Sequence, residues 1–228
     1  MLLLAADTSG KQGSIALAEC GAGENCAVIE AVPLAGGTFS AQLVPQIAAL
    51  LAKYGHSKSD LGGFAVVSGP GSFTGLRVGL AAIKALAEVL HQPIAAVSLL
   101  EAVARSGAAR GRVLAALDAG RGDVYVGDYQ LDPQFHMHSE RMLSREEFLA
   151  EAKSSQAKGT TVVTPDALLA ETVRGAGIPV ESIEYPDSGA IARLGWEHLQ
   201  QGQTATPEEL EANYIRRSDA EIFSKPAR

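Results

Sequence analysis

Apolar and polar residues alternate along the first half of the chain in a way that predicts strands and helices in a regular order. Short apolar runs predict strands, and apolar residues three and four positions apart predict helices that bury one face. A continuous apolar strand is separated from a long helix by a glycine-rich stretch at 69–75, GPGSFTG. The predicted elements are strands at 2–7, 14–18, 28–34, 64–68 and 94–98, and helices at 40–54, 72–90 and 99–106.

The second half of the chain echoes the first. Each half begins with an apolar strand that ends in an aspartate, followed by a Gly-containing turn and a second strand: LLLAADTSGKQGSIALA at 2–18 and VLAALDAGRGDVYVG at 113–127. Asp7 and Asp118 lie 111 residues apart. Chance can produce this common arrangement, but a repeat over half of the chain favours a duplication. Further elements are predicted as a hairpin at 112–130, a strand at 160–164, and helices at 144–153, 166–175, 188–200 and from about 206.

These elements indicate an α/β protein of two similar lobes, because each half starts with strands and continues with helices. The predicted boundaries are 1–106 for the first lobe and 107–228 for the second. The helix expected from about residue 206 is the C-terminal helix, and we expect it to pack back across the lobe junction.

Composition and charge narrow the function classes. The chain has 228 residues, of which 46% are hydrophobic, so it can bury a sizeable core. The N-terminal stretch MLLLAADTSG has neither the basic residues nor the long apolar run of a signal peptide, and we expect a cytoplasmic protein that does not enter a membrane. Cys20 and Cys26 are too few for a disulfide framework, and we expect free thiols. A net charge of −7 suits RNA or DNA binding poorly, so a partner would supply most contact with nucleic acid.

The loop at 69–75 matches neither common phosphate motif. A Walker loop needs a lysine where Leu76 stands, and the dinucleotide fingerprint needs a glycine where Thr74 stands. The start of the following helix is still a generic anion site, to which Ser72 and Thr74 add hydroxyls and Arg77 adds charge. The structural alternative is that Gly71 lets the chain turn and Ser72 caps the helix.

Four stretches occur in an order that resembles the bacterial TsaB family: DTSGKQGSIALAE, SGPGSFTGLRVGLAAIKALA, VLAALDAGRGDVYVGDY and NYIRR at 213–217. The resemblance covers nearly the whole chain. It implies the duplicated fold of actin, sugar kinases and heat-shock chaperone ATPases. It also implies a pseudo-enzyme, the non-catalytic scaffold or activator of the machinery that forms threonylcarbamoyladenosine in tRNA.

The family's catalytic sister, the threonylcarbamoyl transferase, carries two metal-binding histidines at a place where this chain has Leu99 and Val103. Aliphatic side chains have no lone pair to give a metal, so the resemblance implies that the inherited metal site and the catalytic residues are absent. His136 and His138 form a close pair without a third ligand, and we interpret them as surface residues. No tightly bound cofactor is expected, and ATP with magnesium would reach the assembled complex through its partners.

Relatives in this family use the two helices of the first lobe to pack against an equivalent pair on the catalytic sister. Exposed alanines on both helices fit that role, although alanine is also the best helix former. The implied partners are the TsaD-type transferase in a heterodimer, a TsaE-type ATPase, tRNA indirectly, and a second copy in a homodimer when the chain is alone. The predicted partner-binding residues are Ser40, Leu43, Val44, Ala48, Ala52, Ser72, Phe73, Thr74, Arg77, Ala81, Ala82, Lys84 and Ala85.

Two enzyme readings remain as alternatives. Asp7 and Asp118 stand where ATP-using phosphotransferases and hydrolases of this fold place acidic residues near magnesium. A weak anion or nucleotide site would then consist of Asp7, Thr8, Gly71, Ser72 and Asp118. A metallopeptidase is disfavoured because no metal-ligand cluster or nucleophile–base pair can be found at any spacing. Phe39 stands where relatives often have histidine, and we expect it to pack in the apolar face of its helix.

Overall fold

Two five-stranded mixed sheets form the framework of the computed structural model, which describes residues 1–23, 25–157 and 159–215. The chain divides into two units, and the first comprises Met1–Ser98 with Pro186–Asn213. The second unit is built on Leu99–Tyr185. None of the helices in the described part of the chain is long and apolar enough to cross a membrane.

The strand at the centre of the first sheet, β1 (Leu2–Asp7), forms the N-terminal hairpin with β2 (Gly13–Cys20). Strand order is β3-β2-β1-β4-β5, in which β1 pairs antiparallel with β2 and parallel with β4. All six residues of β1 are buried, as expected for a central strand that is covered on both faces. The elements are β1 (Leu2–Asp7), β2 (Gly13–Cys20), β3 (Cys26–Leu34), α1 (Phe39–Lys53), β4 (Leu61–Gly69), α2 (Phe73–Leu90) and β5 (Ile94–Ser98), with a 3₁₀ turn at Lys58–Asp60.

The sheet of the second unit repeats this topology. Its strand order, β8-β7-β6-β9-β10, becomes that of the first sheet when each strand is numbered within its own half. Asp7 ends β1, and Asp118 lies near the end of the equivalent strand β6. The elements are α3 (Leu99–Ser106), β6 (Arg112–Gly120), β7 (Asp123–Gln130), β8 (His136–Ser144), α4 (Arg145–Gln156), β9 (Thr161–Thr164), α5 (Ala167–Gly175) and β10 (Val180–Ser182). The prediction of two similar α/β lobes is confirmed.

The third helix of each half of the chain belongs to the unit whose sheet comes from the other half, so the units do not coincide with the two halves. Helix α3 contacts β6, β7 and β9, and the division between the units lies after Ser98, eight residues before the end of the predicted first lobe. The third helix of the second half is α6 (Ser188–Gln200), which contacts all five strands of the first sheet. In α6, Trp196 is buried and its indole N–H donates to the Gly23 carbonyl at 2.8 Å.

Several predicted ends and elements differ from the structure. Helix α1 is capped at Thr38, so Ser40 lies inside the helix and not at its N-cap. The helix predicted from about residue 206 is absent as far as residue 215, because this segment follows the first sheet: Asn213 N–H donates to the Ser68 carbonyl at 2.7 Å. The remainder of that prediction lies outside the described residues. Strands β8 and β10 were not predicted.

The two cysteines form a disulfide, which corrects the expectation of free thiols. Cys20 ends β2, Cys26 begins β3, and the two residues are direct partners in the antiparallel register. A hairpin with a five-residue connection therefore brings them together, which a count of cysteines in the sequence does not reveal.

Candidate partner-binding surface

The glycines of the loop and of helix α2 allow that helix to lie directly against the turn between β1 and β2. A Cβ atom on Gly71 would lie 2.6 Å from Ser9 Cβ, and one on Gly75 would lie 2.0 Å from the Thr8 carbonyl oxygen. A Cβ on Gly79 would overlap the Thr8 hydroxyl. Any side chain at these three positions would push the helix away from the turn, so close approach explains the glycines.

Hydrogen bonds fix the same contact. The Thr8 hydroxyl donates to the Gly75 carbonyl at 2.7 Å, and Ser72 N–H donates to the Ser9 carbonyl at 2.7 Å. The Ser72 hydroxyl accepts from Gly75 N–H, which confirms Ser72 as the N-cap. Because these two backbone N–H groups are bonded within the protein, the structural alternative accounts for the loop, and the proposed anion site has fewer donors to offer.

Asp7 lies inside the first unit and not at its surface. Its side chain is 2% exposed, and its Oδ1 accepts from the Ser9 N–H at 2.8 Å and the Ser9 hydroxyl at 2.6 Å. Burial raises the pKa of the Asp7 carboxyl, because desolvation outweighs the hydrogen bonds from Ser9. Thr8 is 3% exposed as well. Asp7 and Thr8, two predicted members of the nucleotide site, are therefore buried and hydrogen-bonded to protein groups of the first unit.

Asp118, the equivalent aspartate of the second unit, is in a different environment. Its side chain is 53% exposed and lies 3.9 Å from the Arg145 guanidinium. Its backbone N–H donates to the Asp166 carboxylate at 2.7 Å. The two aspartates that mark the duplication thus differ in burial and in partners.

Leu99 and Val103, which the family resemblance places at the sister's two metal-binding histidines, are core side chains. Leu99 and Val103 are 2% and 0% exposed in α3, which packs on the second sheet. His136 and His138 are exposed on β8 with their ring centroids 4.7 Å apart. Within residues 1–23, 25–157 and 159–215, no group of three or more His, Cys, Asp or Glu side chains could hold a metal ion.

Helices α1 and α2 contact each other and expose two rows of side chains. Residues four positions apart lie on one face of a helix, so each row is continuous. Val44 is 56% exposed and Phe73 is 40% exposed, so each row contains a large apolar side chain on the surface. The α1 row is Ser40, Val44, Ala48 and Ala52, and the α2 row is Phe73, Arg77, Ala81 and Ala85; all eight are exposed.

Not every predicted partner-binding residue belongs to these rows. Leu43 is 1% exposed and is buried like Ile47 and Leu50, so it belongs to the face of α1 that packs in the core and not to the exposed row. Ala82 and Lys84 are half-buried at the edge of the α2 row, while Ser72 and Thr74 are exposed at its start. Phe39 is buried, and its ring lies close to Gly13, in agreement with a packing role.

The sequence analysis missed one member of the α2 row. Val89 is 67% exposed and lies four residues beyond Ala85, so it extends the row by another turn. Extending the four-residue spacing to the end of the helix would have found it. Near the other end of the row, the Arg77 guanidinium lies over the Phe73 ring at 3.7 Å, so the row combines an apolar surface with a positive charge.

The second unit supplies an internal comparison for these rows. Counted from the N-cap of α4, the positions equivalent to Ser40, Val44 and Ala48 are Glu146, Ala150 and Ser154. Counted from the N-cap of α5, the positions equivalent to Phe73, Arg77 and Ala81 are Ala167, Glu171 and Gly175. Helix α5 has nine residues where α2 has 18. The equivalent rows of the second unit also expose small residues, but each carries a glutamate and neither has an apolar side chain as large as Val44 or Phe73.

Comparisons with known proteins show the family of the chain. A family model described as TsaD, tRNA N6-adenosine threonylcarbamoyltransferase, matches residues 33–169, more than half of the chain. The tRNA threonylcarbamoyladenosine biosynthesis protein TsaB of Escherichia coli is 28% identical over 96% of both chains. The protein of that name from Bacillus subtilis is 37% identical, in an alignment over 57% of this chain and 56% of the relative. This chain thus spans about half the length of the Bacillus relative and nearly all of the Escherichia relative.

The solved structures show the same fold. A Pseudomonas aeruginosa protein described as similar to the peptidase YeaZ superimposes with a TM-score of 0.74 at 26% identity. The superposition covers 94% of this chain and 99% of that protein. With the family model and the two named relatives, this establishes that the chain belongs to the threonylcarbamoyltransferase-like family that the model describes, and within it to the TsaB group of tRNA threonylcarbamoyladenosine biosynthesis proteins.

Proposed function

We propose that this chain is the non-catalytic partner subunit of a tRNA threonylcarbamoyladenosine-forming complex, and that it docks on the catalytic TsaD-type transferase through the α1 row and the α2 row. The observation that carries the proposal is the pair of exposed rows on two helices in contact, with Val44 and Phe73 at positions where the second unit has alanine and α2 twice as long as α5. Small side chains let the backbones of facing helices approach closely, and exposed apolar patches mark partner sites.

The size of the surface suits a specific but modest interface. Helices of 15 and 18 residues are about 22 and 27 Å long at 1.5 Å per residue. Side by side they present on the order of 500 Å², against roughly 800 Å² per partner in a standard interface. The two helices therefore supply much of the required area, and flanking residues such as Val89 supply more.

The burial of Asp7 and Thr8 in the first unit bears on where nucleotide binds in the complex. Asp7 and Thr8 are buried and bonded to their own neighbours, and the loop at 69–75 is in contact with the turn that contains them. We infer that nucleotide chemistry in the assembled complex belongs to the partners, a TsaE-type ATPase among them. With a net charge of −7, this chain would contact tRNA mainly through those partners in the cytoplasm.

The direct test places a charge in each row. Ala48→Glu and Ala81→Glu put a carboxylate at exposed positions that the proposal buries in the complex. An unpaired buried charge costs about 3 kcal/mol, or roughly a hundredfold in Kd for the catalytic subunit measured by calorimetry. Ala150→Glu on α4 is the matched control, and its affinity should stay within twofold. Wild-type affinity in both row variants would refute the docking surface.

A second copy of this chain is the competing occupant of the same rows. Sedimentation of the isolated chain tests it, since a homodimer through these rows would dissociate in Ala48→Glu and Ala81→Glu but persist in Ala150→Glu. Titration with the catalytic subunit should then replace homodimers by heterodimers. A homodimer that persists in both row variants would place self-association elsewhere.

The cellular test measures the modified nucleoside. Depletion of this protein should remove threonylcarbamoyladenosine from total tRNA, quantified by mass spectrometry. Wild type and Asp118→Ala should restore it, whereas Ala81→Glu should not. Normal nucleoside levels after depletion would contradict the pathway, and ATP turnover by the isolated chain that Asp7→Ala abolishes would favour the phosphotransferase or hydrolase alternative.

A further inference from the structure

Thr8 makes an unusual contact with the helix that carries the α2 row. Its hydroxyl is buried and donates to the carbonyl of Gly75, a residue in the first turn of α2, at 2.7 Å. The contact joins the turn after β1 to a helix 67 residues further along the chain. It is a long-range hydrogen bond between the β1–β2 turn and the proposed docking helix, and neither local helix formation nor capping requires it.

The geometry of the helix connects this contact to the docking surface. Successive residues of an α-helix are rotated by about 100°, so positions two apart lie on nearly opposite sides. Gly75 and Gly79 face Thr8, while the row residues Phe73, Arg77 and Ala81 lie two positions from one or both of these glycines. Any movement of α2 away from the turn therefore displaces the α2 row outward by the same distance.

We propose that Thr8 is a positioning residue for the docking surface: its hydroxyl holds α2 against the β1–β2 turn and so sets the height of the α2 row relative to the α1 row. This inference rests on the proposed function. A second tether supports it, because Ser72 N–H donates to the Ser9 carbonyl at 2.7 Å. Ser9 is itself fixed by two hydrogen bonds to the Asp7 carboxylate, so the turn is a firm support.

The test removes the hydroxyl while keeping the shape of the side chain. Thr8→Val lacks the donor, and Thr8→Ser keeps it. The matched control is Thr164→Val, which makes the same change at a fully buried threonine of the second unit, whose hydroxyl accepts from Asp166 N–H at 3.1 Å. Both valine variants should lower the melting temperature, so stability alone does not distinguish them.

Binding and hydrogen exchange distinguish a positioning role from a merely structural one. Thr8→Val should weaken binding to the catalytic subunit about tenfold, which corresponds to a small misfit of a helix–helix interface. In the isolated chain, amides at 73–81 should exchange faster than in wild type, while those of α1 should not change. Thr8→Ser should restore both readouts, and Thr164→Val should bind within twofold of wild type.

The outcomes separate this inference from the proposed function. Wild-type affinity and exchange in Thr8→Val would overturn the positioning role while leaving docking intact. If neither wild type nor Ala81→Glu binds the transferase, the proposed function fails, and the exchange of 73–81 in the isolated chain still decides whether Thr8 holds α2. Should Thr8→Val fail to fold, Gly79→Ala gives a second test, since its Cβ would displace the Thr8 hydroxyl and should weaken binding in the same way.

Discussion

Gly75→Ala should destabilise the first unit, although alanine is the better helix former. The new Cβ would lie 2.0 Å from the Thr8 carbonyl oxygen, far inside the ordinary contact distance of about 3.4 Å or more between such atoms. A backbone atom in a buried hairpin turn cannot rotate away as a flexible side chain could. Helix α2 would therefore have to move by more than 1 Å from the turn, a shift inferred from these two distances.

The size of the effect follows from three contributions. Replacing glycine by alanine within a helix stabilises it by about 1 kcal/mol. Overpacking a close contact costs about 1–3 kcal/mol. Separation from the turn also breaks two hydrogen bonds, Thr8 to Gly75 and Ser72 to Ser9, at about 1 kcal/mol each. The expected net loss is about 3 kcal/mol in the free energy of unfolding, from these same terms.

Urea unfolding followed by tryptophan fluorescence measures this loss in the relevant unit. Trp196 is the single tryptophan and is buried in α6 against the first sheet. The matched control is Gly175→Ala in α5, where the new Cβ meets open space, so stability measured by circular dichroism should stay unchanged or rise. A Gly75→Ala protein as stable as wild type would refute the close-contact explanation of the loop glycines.

Three further outcomes are expected. Burial raises the pKa of Asp7, so the wild-type protein loses stability as the pH rises through that raised value and the buried carboxyl becomes charged. Asp7→Asn removes this charge and should raise the melting temperature at pH 7.5. The difference from wild type should shrink toward pH 4, where the Asp7 carboxyl is increasingly protonated. Dithiothreitol should lower first-unit stability by about 2 kcal/mol in wild type and have no effect in Cys20→Ser/Cys26→Ser, as judged by urea midpoints. Arg112→Met should lower the free energy of unfolding by about 2 kcal/mol, because it leaves Asp128 buried without its bidentate partner. In thermal scans, the double variant Arg112→Met/Asp128→Leu should recover most of this loss.

The sheets could be predicted where the hydrophobic pattern was strong. Strands β1 and β6 are continuous apolar runs ended by an aspartate, and their likeness predicted the duplication that the strand orders confirm. Strand β8 could not be found in this way, because it is an edge strand whose residues HMHSERMLS are exposed or half-buried and show no apolar alternation. Strand β10 has only three residues, too few for a pattern.

The candidate site was predictable only in part, for a different reason. Helical spacing identified the exposed rows, but the family resemblance also suggested Leu43, whose burial depends on the sheet beneath α1. The explanation of the loop glycines lies in Thr8 and Ser9, more than 60 residues earlier in the chain. A sequence motif gives the residues of a loop, but the neighbouring atoms that leave no room for a side chain are known only from the tertiary structure.

The divergence of the two units is itself an argument for the docking surface. Both sheets have the same strand order, so the fold does not require the helices of one half to be longer or less charged than those of the other. Yet α2 continues past the point where α5 ends, and Ala81 stands where α5 has its terminal Gly175. A core needs only the buried face of α2, whereas the small, apolar outer row contributes nothing to folding while it faces water. The length of α2 and the apolar residues of its outer row therefore distinguish the first unit from its duplicate, and these are the features that the proposed docking surface uses.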